Sequence, residues 1–285
     1  MTEPTTAEDA SPDDPNFELE LRLLLDAIAA KYDYDFRGYA ANSVRRRVRQ
    51  AAAKFGCRSL SQLQHRILRE PNVFAALLGH MTVQVSELFR DPEYFLALRT
   101  HVLPQLRKHP LLKVWVAGCS NGEELYSFAI MMREEGLFDR TLFYATDVAP
   151  EALSLAQKGV YPIERVKDYT RNYQRAGGRQ SLADHYTAAY DGIAFDRSLR
   201  ERVVFADHSL ASDGAFAEVH LVSCRNVLIY FDKPLQDRAL ALFLQSLVPS
   251  GYLGLGMKET VRFSAYADAF AEVSPRVCIF QKAAP

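Results

Sequence analysis

The spacing of apolar positions changes character once along this chain. From Phe17 to about Leu78 it is helical. Phe17, Leu21, Leu24, Leu25 and Ile28 mark one face, because side chains at i, i+3, i+4 and i+7 share a side of a helix. Ser43 is placed to cap a second helix that runs to Phe55 and stops at Gly56. Ser59 or Ser61 would cap a third, ending near Pro71. No alternating strand pattern occurs here, so the pattern predicts a small helical domain.

After about residue 110, short apolar runs alternate with helical stretches. KVWVAG fits a buried strand and residues 123–135 a helix. TLFYATD (141–147) fits a second strand, with a helix over 150–158. VVFAD (203–207) and VHLVSC (219–224) read as strands, residues 235–247 as a helix, and GYLGLGM (251–257) and RVCIFQK (276–282) as further strands. This alternation predicts an α/β fold with a mostly parallel, doubly wound sheet. Right-handed crossovers then align the strand C-termini along one edge, where ligands bind. Residues 160–202 interrupt the alternation. They are polar and turn-rich, with YTAAYDGIAF readable as a strand pair and Gly177-Gly178 as a loop. Residues 1–16 hold no aromatic residue and read as a disordered tail.

Composition narrows the classes. The 285 residues are 48% hydrophobic and 24% charged, with a formal net charge of −1, so no global charge argues for nucleic acid. No apolar run reaches the length of a membrane span, and no direct membrane insertion is expected. The four cysteines lie far apart, which fits reduced thiols in the cytoplasm and no metal site.

The chemistry centres on GCSNGEELYS (118–127). A strand, a small-residue turn and a helix often cradle a phosphate, but Glu123 and Glu124 would repel one. Gly118 and Gly122 still allow a ligand close to the backbone. Carboxylates accept hydrogen bonds from an ammonium group or from ribose hydroxyls, and Asp147 ends the second strand, where an acid grips a ribose in such folds. S-adenosylmethionine, with a ribose, an ammonium and no phosphate, matches this set. The alternative is that the two glutamates only favour a helix N-terminus.

Two further stretches are MTVQVSELFRDPEYF (81–95) and SCRNVLIYFD (223–232). With GEELYS they resemble the CheR-type chemotaxis-receptor glutamate methyltransferases from about residue 17 to 282. The resemblance implies a Rossmann-like class I S-adenosylmethionine-dependent methyltransferase domain over 91–285. It implies a small β subdomain inserted at about 169–202, and an all-helical N-terminal domain over 17–90 that recognises substrate. It implies cofactor contacts at Arg90, Glu124, Asp147, Arg225 and Asn226, and at Ser209-Leu210, where the family has Asn-Leu. Gln84 and Ser86 stand where the family has Asn and Thr. Arg90 and Tyr230 are the expected catalytic groups, Arg90 by orienting a carboxylate. The implied reaction methylates glutamates on a receptor's cytoplasmic helical region and releases S-adenosylhomocysteine. Arg45, Arg46 and Arg49 on a basic helix would read that acidic partner; a solvated helix face is the plainer alternative. A monomer is expected. The rival readings are an S-adenosylmethionine-binding signalling module or scaffold with weak catalysis, and a nucleic-acid methyltransferase. Against the latter, Asn226-Val227-Leu228-Ile229 lacks the prolines expected beside a flipped base.

Overall fold

The computed structural model describes residues 15–82, 84–274 and 276–283; the tail expected over 1–16 falls largely outside them. The chain forms two compact units, one holding 15–82 with 230–235, the other 84–229 with 236–283.

The first unit contains α1 (Phe17–Tyr32), α2 (Ala41–Lys54), α3 (Leu60–Arg69) and α4 (Pro71–Met81). All five apolar residues of the expected face on α1 are buried. Ser59 caps α3, its Oγ accepting from Gln62 N at 3.2 Å, whereas Ser61 Oγ donates to Glu20. Ser43 is not a cap. The helix starts at Ala41, because Ala40 N is tied to the Tyr230 carbonyl at 2.7 Å and fixes the entry three residues earlier. Ser43 Oγ instead accepts from Arg47 Nε at 3.0 Å. Pro71 both stops α3 and starts α4, where its missing N–H leaves no bond unmade. Residues 38–40 pair with 230–232: Asp232 N donates to Gly38 O at 2.8 Å, and the Tyr39 and Phe231 rings meet edge to face.

The second unit opens with α5 (Pro92–Ala97), which passes through a wide turn into α6 (Leu103–Leu106). There follow β1 (Leu112–Ala117), α7 (Glu123–Glu134), β2 (Thr141–Asp147), α8 (Pro150–Lys158), β3 (Val160–Pro162) and α9 (Val166–Arg175). Then come β4 (Tyr186–Ala189), β5 (Gly192–Phe195), β6 (Val203–Asp207), β7 (Val219–Cys224), α10 (Lys233–Ser246), β8 (Leu247–Leu255), β9 (Phe270–Ser274) and β10 (Ile279–Lys282). The first turn of α10 groups with the other unit. The large sheet has the order β6-β2-β1-β7-β8-β10-β9. Its first five strands run parallel, and β10 alone is reversed, pairing antiparallel with both β8 and β9.

The α/β reading therefore holds, and the strand C-termini at Ala117, Asp147 and Cys224 share one edge. Val114, Trp115, Phe143, Leu221 and Val222 are fully buried, as expected of parallel strands covered on both faces. Each such burial stabilises by about 1.5–3 kcal/mol. Trp115 meets its one polar demand by donating Nε1–H to Thr146 Oγ1 at 2.9 Å.

Residues 160–195 form a second sheet, antiparallel, in the order β3-β5-β4. The strand pair expected from YTAAYDGIAF is β4 and β5. Helix α9 escaped the sequence pattern. Its inner face is Tyr169, Asn172 and Tyr173, so polar atoms hide the period. Edge strand β9 escaped it too, since only Phe270 among its residues is buried.

Candidate cofactor site

The turn after β1 is pinned to the end of β2. Gly118 N and Cys119 N both donate to the Thr146 carbonyl, at 2.8 and 2.9 Å. Gly118 has φ +71°, and a Cβ there would lie 2.5 Å from Val227 Cγ2. Gly118→Ala is therefore strained twice. It should cost about 1–3 kcal/mol in urea unfolding and loosen the turn enough to weaken cofactor affinity in calorimetry. Gly122 precedes α7 with φ +96°, 2.8 Å short of the Ala156 Cβ by the same measure.

Asp147 braces this turn from the next strand. Its Oδ2 accepts from Ser120 N at 2.8 Å and its Oδ1 from Ala149 N at 3.0 Å. Burial pushes its carboxyl above the usual range, and those backbone N–H groups pull it back. A carboxylate offers about four acceptor positions, so two remain for a vicinal diol. Ser120 Oγ donates to Gln84 Oε1 at 2.6 Å, which brings Gln84 to the turn. His208 N reaches the Asp147 carbonyl at 3.4 Å and leads β6 into Ser209-Leu210 at the same edge. Ser209 is occupied locally: its N donates to Asp213 Oδ2 at 2.9 Å, and its Oγ accepts from Ala211 N. Leu210 is buried.

Glu124 lies at the other side of the turn and keeps some exposure. Its Oε1 accepts from Ser223 Oγ at 2.7 Å and its Oε2 from Arg225 Nη1 at 3.0 Å. Arg225 Nη2 donates to Asp91 Oδ2 at 2.7 Å and to the Arg90 carbonyl at 2.8 Å. The Arg225 guanidinium sits 4.2 Å from the Tyr94 ring centroid, and its side chain is 1% exposed. Arg225, expected as a cofactor contact, thus uses its side chain to brace Glu124 and the loop that carries Arg90. Arg90 itself is half-buried, with a long 3.4 Å bond from Nη1 to the Val85 carbonyl.

Asn226 stands in left-handed backbone, φ +61°, a conformation Asn tolerates. The brace there went unnoticed in the sequence. Glu259, 5% exposed, accepts from Asn226 N at 2.9 Å, Gly256 N at 2.6 Å and Ile229 N at 3.2 Å. A lone glutamate in KET carries no motif; its only signal is its place just after the strand that neighbours β7. Asn226 Oδ1 is buried without a hydrogen-bond partner, an acceptor that a bound donor would satisfy.

Glu123 does more than begin α7. Its side chain is 1% exposed, and Oε1 accepts from Arg165 Nη1 and Tyr169 OH, both at 3.2 Å. Burial raises its pKa, against the pull of its own backbone N–H and of Arg165, Tyr169 and Ser86. The remaining expected residues belong to the first unit. Tyr230 lies under the Arg47 guanidinium, 5.3 Å from its ring centroid. Arg45 pairs with Glu18 at 2.7 Å, and Arg49 covers the Phe17 ring at 4.1 Å. Both therefore turn toward α1, leaving Arg46 as the exposed member of the trio.

Two acids, two glycines and an unpaired amide oxygen at the strand ends suit a ligand with hydroxyl and ammonium donors and no phosphate. The model of the CheR methyltransferase S-adenosylmethionine-binding domain matches residues 84–277, and that of the CheR methyltransferase all-alpha domain matches 19–82. Cher3 of Pseudomonas putida, provisionally named a methyltransferase, is 53% identical over 94% of this chain and 98% of its own length. The chemotaxis protein methyltransferase 2 of Pseudomonas aeruginosa is 32% identical, covering 67% of this chain and 68% of its own. The match to an uncharacterised 104.1 kDa protein of Rhodobacter capsulatus spans only 28% of that protein. Among solved structures, the N-methyltransferase NodS of Bradyrhizobium japonicum overlays 69% of this chain and 89% of its own at a TM-score of 0.38 and 15% identity. S-adenosylmethionine is the cofactor, and the chain belongs to the CheR methyltransferase family.

Proposed function

We propose that this protein transfers a methyl group from S-adenosylmethionine to glutamate side chains on the cytoplasmic helical region of a chemoreceptor or related receptor. On this reading it works in the cytoplasm; no helix among the described residues is long and apolar enough to cross a membrane. The observation that carries the reading is the acid pair Glu124 and Asp147 at one sheet edge, with Arg90 on a loop braced against it by Arg225.

S-adenosylmethionine, when bound, would supply an electrophilic methyl on its sulfonium, with S-adenosylhomocysteine as the leaving group. The receiving carboxylate has an ordinary pKa of about 4.3, so it is ionised at neutral pH and needs no general base. The protein's work is therefore placement. Glu124 holds the ammonium and Asp147 the ribose hydroxyls. Arg90 steers the incoming carboxylate by charge and geometry. Gly118 lets the backbone approach closely, and the buried Asn226 Oδ1 offers an acceptor.

Arg46 is the cation best exposed to read an acidic helix, since Arg45 and Arg49 are engaged by α1. Incubation with methyl-labelled cofactor and receptor fragments should give alkali-labile methyl esters. Arg46→Glu should slow that labelling roughly threefold to tenfold while cofactor affinity stays unchanged. Cofactor binding with no ester on any receptor fragment would instead favour a binding module or scaffold.

A further inference from the structure

The loop over residues 84–91 is short, irregular and held almost entirely from outside. Its carbonyls at 86, 88 and 90 are each taken by a different side chain. Arg165 Nη1 donates to Ser86 O at 3.0 Å, Asn172 Nδ2 to Leu88 O at 3.2 Å, and Arg225 Nη2 to Arg90 O at 2.8 Å. Phe89 N donates to Ser127 Oγ on α7 at 2.7 Å. Phe89 and Asp91, on either side of Arg90, both stand in left-handed backbone, at φ +50° and +54°. Such backbone costs about 1–3 kcal/mol per residue outside glycine and persists only where surroundings impose it. The Phe89 ring meets Phe95 and Tyr173, which adds apolar grip.

Two of the three carbonyl clamps come from one stretch. Arg165 immediately precedes α9, and Asn172 lies on its inner face, 7% exposed. Tyr169 and Tyr173 fill the same face. Arg165 also joins the loop to α7, through the buried Glu123 beside the cofactor turn. Helix α9 belongs to the stretch between β3 and β4, outside the alternation that builds the large sheet.

We infer that Asn172 and Arg165 are positioning residues for methyl transfer: by clamping the Ser86 and Leu88 carbonyls they hold Arg90 in its working geometry. This rests on the proposed role of Arg90, but the clamps act on the loop and not on the cofactor. Glu124 and Asp147 keep their own partners when either clamp is removed.

The test compares Asn172→Ala and Arg165→Met, each alone and each combined with Arg90→Ala. Arg165 is partly exposed, so its substitution tests the idea even where Asn172→Ala fails to fold. Cofactor affinity by calorimetry should stay within about threefold of the parent, while kcat for receptor methylation falls roughly tenfold or more. The loss should disappear in the Arg90→Ala background, because both changes then act on a group already gone. Arg165→Lys, which retains one charged donor, should recover part of kcat. Amide hydrogen exchange across 87–91 should quicken in both clamp variants. Unchanged kcat and unchanged exchange would overturn the inference. So would equal losses with and without Arg90, or cofactor affinity falling in step with kcat. A parent protein with no methyl transfer would instead sink the proposed function. The exchange measurement would then still decide whether α9 holds the loop.

Discussion

Arg225→Met should lower the free energy of unfolding by about 3–5 kcal/mol, because it strips one partner from a buried ionic cluster and leaves the others. Glu124 Oε2, Asp91 Oδ2 and the Arg90 carbonyl all lose their donor at once. Methionine matches the volume, so packing against Tyr94 survives while the charge does not. Replacing a whole buried pair by apolar groups can be neutral; removing one member is not. Against a typical total of about 5–15 kcal/mol this is a large share. Trp115, the single tryptophan and fully buried in this unit, reports the transition by fluorescence in urea. The same variant should lose cofactor binding, since Glu124 and the loop bearing Arg90 are released together. A change below about 1 kcal/mol would show that the desolvation of Arg225 cancels its pairing.

Glu124→Gln and Glu123→Gln should separate two adjacent acids that look alike in the sequence. Glutamine at 124 turns one acceptor oxygen into a donor group at the mouth of the turn. Loss of a charge-assisted bond of about 2–3 kcal/mol predicts a roughly 30- to 150-fold weaker cofactor affinity in calorimetry. Glu123→Gln should change affinity by less than about threefold, because that side chain faces Arg165 and Tyr169. Its signature is in stability against pH. Burial raises the folded pKa of Glu123 above its unfolded value. Its contribution is then full below the unfolded pKa and lost as pH rises through the folded one. Glu123→Gln removes that dependence, so unfolding free energy should fall less steeply above the ordinary carboxylate range than in the parent. Equal affinity losses at both positions would refute the division of roles.

The turn and its flanks were legible because each depends on local rules. An apolar run, a glycine that needs left-handed backbone and an acid after the next strand are fixed by neighbours in sequence, so Gly118, Glu124 and Asp147 could be named. Glu259 could not: its three bonds run to backbone N–H groups around Asn226 and Gly256, and nothing near it in the sequence signals them. Asn172 and Arg165 were hidden similarly, because polar residues on an inner helix face weaken the period by which helices are recognised. For the arginines of α2 the spacing predicts a shared face, and the fold sets what covers it. Positions 45 and 49 share a face, but that face is taken by Glu18 and Phe17.

By itself, the sequence determined the helical opening segment, the alternation that makes a parallel sheet, and an acidic turn whose charge disfavours a phosphate. These follow from periodicity and from the sign of charge, which act over a few residues. The tertiary structure alone decided which acid of the turn keeps some exposure and which is buried. It made the Arg225 side chain a brace for Glu124 and for the loop bearing Arg90, which is held in costly left-handed backbone. Those outcomes rest on partners as far as 135 positions apart along the chain, as Arg90 and Arg225 are. Burial and hydrogen bonding are assigned only when such partners meet.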